Sequence, residues 1–370
     1  MIYHENSIEM DEMKMANQPL YKKIYQELKK QIFTGELKED EQLPTELELS
    51  EMYNVSRITS KRAVVELENE GLIYRVRGKG SFVKRRETEQ VSTNQETILF
   101  IMPFAQNEGF GNYAEGILES FKETPFRLQM QPHEWLTSGN DYTLKQDYAG
   151  IIYYPINTQI SLDFLYKCQV QEIPVVILDK SIEKIEYDSV VADNHEGGKM
   201  SAEYFLDQEI ENVLFISVNR FSDVSSVRDR YLGYLTAMYE NEKNPIQLMP
   251  KEGEELESFF KTVFEEVNQL TQENKNVGLV VENDVIAIRL MTYLKQQGME
   301  VPKQVGIIGF DNIQAANLMD PPLTTVAQNF YEMGHLAGEL LKNQIVNTKN
   351  NYSEHVVPIE LIERQSAKYQ

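Results

Sequence analysis

Apolar residues recur along the chain with two different periods, and the change between them divides it. Leu20, Ile24, Leu28 and Ile32 repeat at helical spacing and predict a helix that Gly35 stops. Thr45, with Glu48 three residues on, has capping-box spacing and predicts a second short helix carrying Leu47 and Met52 and ended by Asn54. Ser56 caps a third helix, which Gly71 closes. Two β-branched and aromatic runs, 72–76 and 81–84, flank Arg77-Gly78-Lys79-Gly80 and predict a hairpin. Three helices and a hairpin over residues 17–86 describe a winged helix-turn-helix, a small α+β head.

Beyond residue 96 the pattern changes. Short apolar runs at 98–102, 150–154, 175–178, 213–217, 278–281 and 305–309 alternate with helical periods at 196–206, 229–239 and 285–297. Buried strands separated by helices mean parallel α/β sheets, and about 270 residues of this pattern exceed one sheet, so two lobes are expected. The domain reading is a polar leader at 1–16, the head at 17–86, a polar linker at 87–96 and a two-lobed domain at 97–370.

Composition sharpens this picture in two places. The net charge is −22, yet residues 17–86 hold 14 Lys and Arg against 11 Asp and Glu, and residues 56–86 hold nine against three. A compact basic patch on an acidic body suggests a nucleic-acid module joined to something else. The single cysteine, Cys168, excludes a disulfide framework and fits the reducing cytosol; its apolar helical context predicts a core position. No run of about 18 apolar residues predicts a membrane span, and the acidic amino terminus shows no secretory h-region.

A helix entering the major groove needs its cap near phosphate and basic or polar side chains over its first turns. Ser56-Arg57-Ile58-Thr59-Ser60-Lys61-Arg62 supplies them, and the glycines beside Lys79 let the hairpin tip approach DNA closely. Gly78-Lys79-Gly80-Ser81 is not a phosphate-binding P-loop, because position 73 is Ile and a strand follows. Leu43-Pro44-Thr45-Glu46-Leu47-Glu48-Leu49, Val55-Ser56-Arg57-Ile58-Thr59, Leu67-Glu68-Asn69-Glu70-Gly71-Leu72-Ile73 and Gly78-Lys79-Gly80-Ser81-Phe82-Val83 together resemble the GntR-type winged-helix repressors. The resemblance implies contacts to double-stranded operator DNA from Thr45, Glu46, Ser56, Arg57, Thr59, Lys61, Arg62, Gly78, Lys79 and Gly80. Leu47 and Lys61 stand where arginine is usual in that family, so Lys61 offers a point charge in place of a bidentate fork.

In the second region, polar groups follow strands, where an open α/β sheet binds ligands: Asp179-Lys180, Asn283-Asp284 and Asp311-Asn312. Such side chains supply the donors and acceptors that sugar hydroxyls need, although an Asp or Asn after a strand also serves as a helix cap. Asp193 is expected to cap the helix beginning near Glu196. Residues 173–180, 193–198, 230–234, 305–312 and 322–328 resemble the LacI-type regulatory domain, itself similar to periplasmic sugar-binding proteins. That resemblance implies a small-sugar effector, a pentose by analogy. It places Asp179, Lys180, Arg230, Asn283, Asp311 and Gln328 around the sugar, with Arg228 as a companion. Phe110 and Tyr113 follow the first strand, where an aromatic either stacks on a sugar ring face or packs in the core or a lid.

The five histidines are scattered without metal-ligand spacing, and no nucleophile or dinucleotide motif appears. No cofactor, metal or catalytic set is expected, and His133-Glu134-Trp135 reads as surface packing. The leading expectation is a cytoplasmic, homodimeric, ligand-responsive repressor on a palindromic operator, with no membrane partner. A plain solute-binding protein and an enzyme fused to a DNA-binding head, such as an aminotransferase, are the alternatives.

Overall fold

The computed structural model describes residues 20–34, 37–38, 40–69, 72–76, 79–84, 96–103, 111–137, 144–182, 185–272, 276–346 and 352–369. The expected leader, Gly35, Gly71 and nearly all of the linker lie outside them. Two compact units divide the chain: residues 1–93 with 134–146, and residues 94–133 with 147–370.

In the first unit, helices α1 (Leu20–Thr34), α2 (Glu46–Met52) and α3 (Arg57–Asn69) precede the antiparallel hairpin β1 (Ile73–Val76) and β2 (Gly80–Val83). Ile24, Leu28, Leu43, Leu49, Ala63, Val64, Leu67, Ile73 and Val83 form its core. Leu47 and Met52, expected as the apolar residues of α2, are exposed instead, and Leu49 is the buried one. Leu47 lies two residues from Leu49, about 200° round the helix, so burying one exposes the other.

The second unit holds two six-stranded sheets. The first has the order β13-β7-β6-β5-β3-β4, all parallel. It is built from β3 (Thr97–Met102), β4 (Arg127–Pro132), β5 (Gly150–Tyr153), β6 (Val175–Leu178), β7 (Asp188–Ala192) and β13 (Glu354–Val357). The second has the order β14-β12-β11-β10-β8-β9, with β14 alone antiparallel to its neighbour. Its strands are β8 (Asn212–Ile216), β9 (Ile246–Leu248), β10 (Val277–Val281), β11 (Val305–Phe310), β12 (Thr324–Gln328) and β14 (Ile359–Ile362). This is the parallel two-lobed α/β architecture that the alternating pattern implies.

The helices that matter for the site are α4 (Tyr113–Ser120), α7 (Thr158–Val170), α8 (Asn194–Leu206), α9 (Ser225–Glu240), α11 (Asp284–Gln296) and α13 (Phe330–Val346). Short helices at Glu134–Thr137 (α5), Leu144–Asp147 (α6) and Gln314–Leu318 (α12), and the longer Leu256–Gln272 (α10), complete the set. The chain passes between the two sheets at Asp193, Asn329 and Pro358. Two of these crossings are helix caps. Asp193 accepts from Glu196 N at 3.0 Å, as the sequence suggests, and Asn329 accepts from Glu332 N at 3.0 Å.

Cys168 is buried in α7. His133 is not surface packing: it is buried, with its Nε2 3.0 Å from the Tyr153 hydroxyl.

Candidate functional site

The first unit presents α3 and the hairpin. Thr45 and Glu48 form a reciprocal capping box: Thr45 N donates to Glu48 at 2.7 Å, and Glu48 N donates to Thr45 Oγ1 at 3.2 Å. Those bonds from Thr45 hold the Glu48 carboxyl below its ordinary value. Ser56 and Thr59 lie hydroxyl to hydroxyl at 2.8 Å, at the start of α3. Buried Ser60 donates to Glu46 O at 2.6 Å and so fixes α3 against α2. Glu46 faces Arg75 at 3.5 Å, and the Arg62 guanidinium lies over the Tyr21 ring at 3.9 Å. Arg57 and Lys61 are exposed one turn apart on α3, with exposed Ile58 beside Arg57. At the hairpin, Lys79 O accepts from Gln42 at 2.8 Å. Gly78 lies outside the described residues.

In the second unit, a cavity of ≈ 290 Å³ is lined by side chains from both lobes. From the first lobe come Asp179 and Lys180, which follow β6, together with Tyr113, Tyr154 and Phe330. Asp179 adopts φ +72°, so it is not a helix cap but a residue held in a left-handed turn. Its carboxylate accepts from Lys180 Nζ at 2.7 Å and from the Tyr113 hydroxyl at 3.2 Å. Burial pushes the Asp179 carboxyl upward, but Lys180, Arg230 and the Tyr154 hydroxyl outweigh it and leave the group below its ordinary value. The Lys180 ammonium also sits 4.2 Å from the centre of the Tyr154 ring. Burial, then the Asp179 charge, raises the Tyr113 and Tyr154 hydroxyls far above the usual phenol value, so both stay protonated donors.

From the second lobe come Asn219, Ser226, Arg230, Asn283, Asp311 and Gln328. Buried Arg230 on α9 donates from Nε to Asn194 at 2.8 Å and from Nη1 to Glu282 O. Its Nη2 lies 3.6 Å from Asp311, and its guanidinium covers Phe310 at 3.5 Å. Asp311 accepts from Gln328 Nε2 at 2.6 Å. Burial raises its carboxyl to about 6, with Arg230 opposing the rise. Gln328 Oε1 is buried and has no hydrogen-bond partner. Asn283 both caps α11, accepting from Ile286 N at 2.9 Å, and lines the cavity.

Close helix crossings set both sides. A Cβ on Gly198 of α8 would lie 1.8 Å from Arg230 O, and one on Gly334 of α13 would lie 2.1 Å from Tyr113 O. Only glycine lets these backbones approach so closely.

Of the residues expected around an effector, Tyr113, Asp179, Lys180, Arg230, Asn283, Asp311 and Gln328 therefore share one cavity. Arg228 is half-buried, pairs with Asp229 at 2.9 Å and is not among the lining residues. Phe110 lies outside the described residues. Missing from the sequence reading are Tyr154, Asn219, Asn194 and Glu282. The Glu282 carboxylate is fully buried and accepts from Val218 N at 2.8 Å, Asn219 N at 3.1 Å and Asn219 Nδ2 at 2.7 Å. Tyr154 ends an apolar run, which was the one local signal available. Among the described residues, no cluster of His, Cys, Asp and Glu could hold a metal ion. No helix among them is long and apolar enough to cross a membrane.

Comparison with known proteins adds the following. Residues 20–83 match the bacterial regulatory proteins of the gntR family, and residues 202–367 match the periplasmic binding protein-like domain. The chain is 27% identical over 373 residues to the arabinose metabolism transcriptional repressor of Geobacillus stearothermophilus, spanning 96% of this chain and 100% of that one. It is 24% identical to the protein of the same name from Halalkalibacterium halodurans, across 90% and 91% of the two chains. A LacI family transcriptional regulator from Enterococcus faecium with bound ribose shares the fold at TM-score 0.60 and 22% identity, over 73% of this chain and 98% of that one. A periplasmic binding protein/LacI transcriptional regulator from Alkaliphilus metalliredigens complexed with D-xylulofuranose does so at TM-score 0.60 and 23% identity, over 74% and 99%.

Proposed function

We propose that this chain, in which a GntR-type DNA-binding domain is joined to a periplasmic binding protein-like domain, is a sugar-responsive transcriptional repressor. In this reading it acts in the cytoplasm, without enzymatic activity, and holds a palindromic operator as a homodimer. A small sugar taken up by the cavity releases it. The domain pair and the relatives named as arabinose repressors support the repressor role.

The observation that carries the effector site is the convergence of two oppositely charged pairs, one from each lobe. Lys180 with Asp179 and Arg230 with Asp311 face one cavity, beside the unpartnered Gln328 Oε1. A polyhydroxy ligand donates and accepts through each of its hydroxyls, and it satisfies such a ring where an apolar ligand leaves it desolvated. A cavity of ≈ 290 Å³ lies at the small end of ligand pockets and suits a monosaccharide. Pentoses are the first choice, since arabinose stands in the relatives' names.

A ligand that bonds to both lobes favours whichever lobe arrangement brings its partners together, and the three short crossings leave the lobes able to shift. Its effect on operator binding equals its difference in affinity between the two arrangements. In the head, Arg57 and Lys61 read base edges, and the Lys79 hairpin tip engages the backbone.

The test pairs titration calorimetry against L-arabinose, D-ribose and D-xylulose with a gel shift on a duplex selected from a randomised library. Binding of one pentose that also releases the duplex is the expected result. Failure of all three to bind, or binding with no effect on the DNA complex, rejects the reading.

A further inference from the structure

Next to Asp311 in the chain begins a hydrogen-bonded network, fully buried at Asp284 and Thr325, whose own members do not line the cavity. Asp311 and Asn312 are consecutive non-glycine residues with φ of +112° and +53°. L side chains rarely adopt that region, and two in succession persist only where the surroundings over-determine them. The bracing groups come from three separate parts of the chain. Asp284, at the start of α11 and fully buried, accepts from Ile313 N at 2.9 Å through one oxygen and from Thr325 Oγ1 at 2.6 Å through the other. Thr325 in turn accepts from Asn312 N at 3.2 Å. From the C-terminal segment, Arg364 donates to Asn312 Oδ1 at 2.6 Å and to Leu323 O at 2.6 Å. Space for the Asp284 carboxyl exists because residue 309 is glycine: a Cβ there would lie 2.1 Å from Asp284 Oδ1.

We propose that Asp284 and Arg364 are positioning residues that hold the Asp311–Asn312 turn in its left-handed form and thereby set how tightly the cavity takes its ligand. The proposal rests on Asp311 being a ligand contact, as argued above. Below about pH 8 Asp284 keeps its proton and one oxygen is a hydroxyl; ionised above that, it offers two acceptor oxygens and both are engaged, so the variants are compared at pH 9. Asparagine keeps the shape but only one acceptor, so either Ile313 N or the Thr325 hydroxyl loses its partner. Loss of the Arg364 fork frees the Asn312 side chain, and the strained pair can then relax toward ordinary backbone angles. The charged groups around this network are few. Asp311 and Arg364 act on Asp284, while Arg230, Asp179 and Lys180 act on Asp311.

The experiment uses the full chain with Asp284→Asn, Arg364→Gln and the conservative Arg364→Lys, alone and combined with Asp311→Asn. Amide hydrogen exchange without ligand reads the turn directly. Exchange at residues 311–313 should rise about tenfold in Asp284→Asn and Arg364→Gln, less in Arg364→Lys, with strand 305–309 unchanged. Calorimetry against L-arabinose and D-ribose reads the consequence. Kd should rise about tenfold in the first two variants, and by under about threefold when either is added to Asp311→Asn, because residues acting through one another are not additive.

Unchanged exchange at 311–313 overturns the proposal, as does a loosened turn with wild-type sugar affinity or full additivity with Asp311→Asn. Equal acceleration across 305–313 in all three variants also overturns it, because it shows a general support of the lobe. Should wild-type protein bind neither of these pentoses nor D-xylulose, the effector reading fails, and the exchange data alone decide the positioning role.

Discussion

Replacing Gln328 by leucine should separate ligand affinity from stability. The side chain keeps similar bulk at the end of β12 but loses both polar ends. One end, Nε2, donates to Asp311 at 2.6 Å, a charge-assisted bond of about 1.5–3 kcal/mol. The other, Oε1, is buried without a partner, a desolvation cost of about 1–3 kcal/mol that the substitution relieves. These two effects oppose each other in the empty protein, so stability should change by less than about 1 kcal/mol, or about 2–4 °C in melting temperature for a unit of this size. With sugar bound the balance differs, because Oε1 is then expected to accept a hydroxyl. The leucine variant should bind its pentose about 1–3 kcal/mol more weakly, roughly 5- to 150-fold. Titration calorimetry and a thermal melt on the same preparations decide it. Wild-type affinity in the variant would show that Oε1 does not face the ligand. A melting temperature lowered by 10 °C or so would show that the Asp311 bond dominates and that the compensation is wrong.

Three further outcomes are expected. Burial, then the charge of Asp311, pushes the Asp284 carboxyl up to about 8, whereas the unfolded chain releases that proton near 4. The native state therefore holds the extra proton between these values. Stability should fall as pH rises through that window, by at most about 1.4 kcal/mol per pH unit, and Asp284→Asn should flatten the limb above pH 6 in urea melts; an unaltered slope refutes this. Gly198→Ala forces α8 and α9 apart at Arg230 O, so it should destabilise by about 1–3 kcal/mol and weaken pentose binding together; denaturant melts that match wild type would contradict the close crossing. Arg57→Ala and Lys61→Ala should each cost about 1–3 kcal/mol of affinity for a selected duplex if they contact bases, or reduce the salt dependence if they contact phosphate; gel shifts in which neither changes reject α3 as the reading helix.

What was legible in the sequence were features closed within a few residues. The Thr45–Glu48 capping box, the Asp193 cap on Glu196 N and the buried apolar runs in β5, β6, β8, β10 and β11 each depend on neighbours one turn away or on unbroken apolar composition. The polar residues at strand ends could be listed for the same reason, since Asp179, Asn283 and Asp311 follow apolar runs directly. Edge strands such as β4 and β9, half-exposed and partly polar, carried too weak a pattern. Which of the strand-end residues would be a cap, a ligand group or both could not be read locally. Asp179 and Asp311 leave the helical path through left-handed backbone, while Asn283 caps a helix and still lines the cavity. Tyr154, Asn194, Glu282 and the role of Asp284 emerged only in three dimensions, because their partners lie far along the chain: Asn194 meets Arg230, Glu282 meets Asn219, and Asp284 meets Thr325. The raised carboxyls of Asp284 and Asp311 have the same origin. Sequence specifies which groups can ionise, whereas burial and the approach of distant charges decide the energy of ionising them, and packing alone creates both.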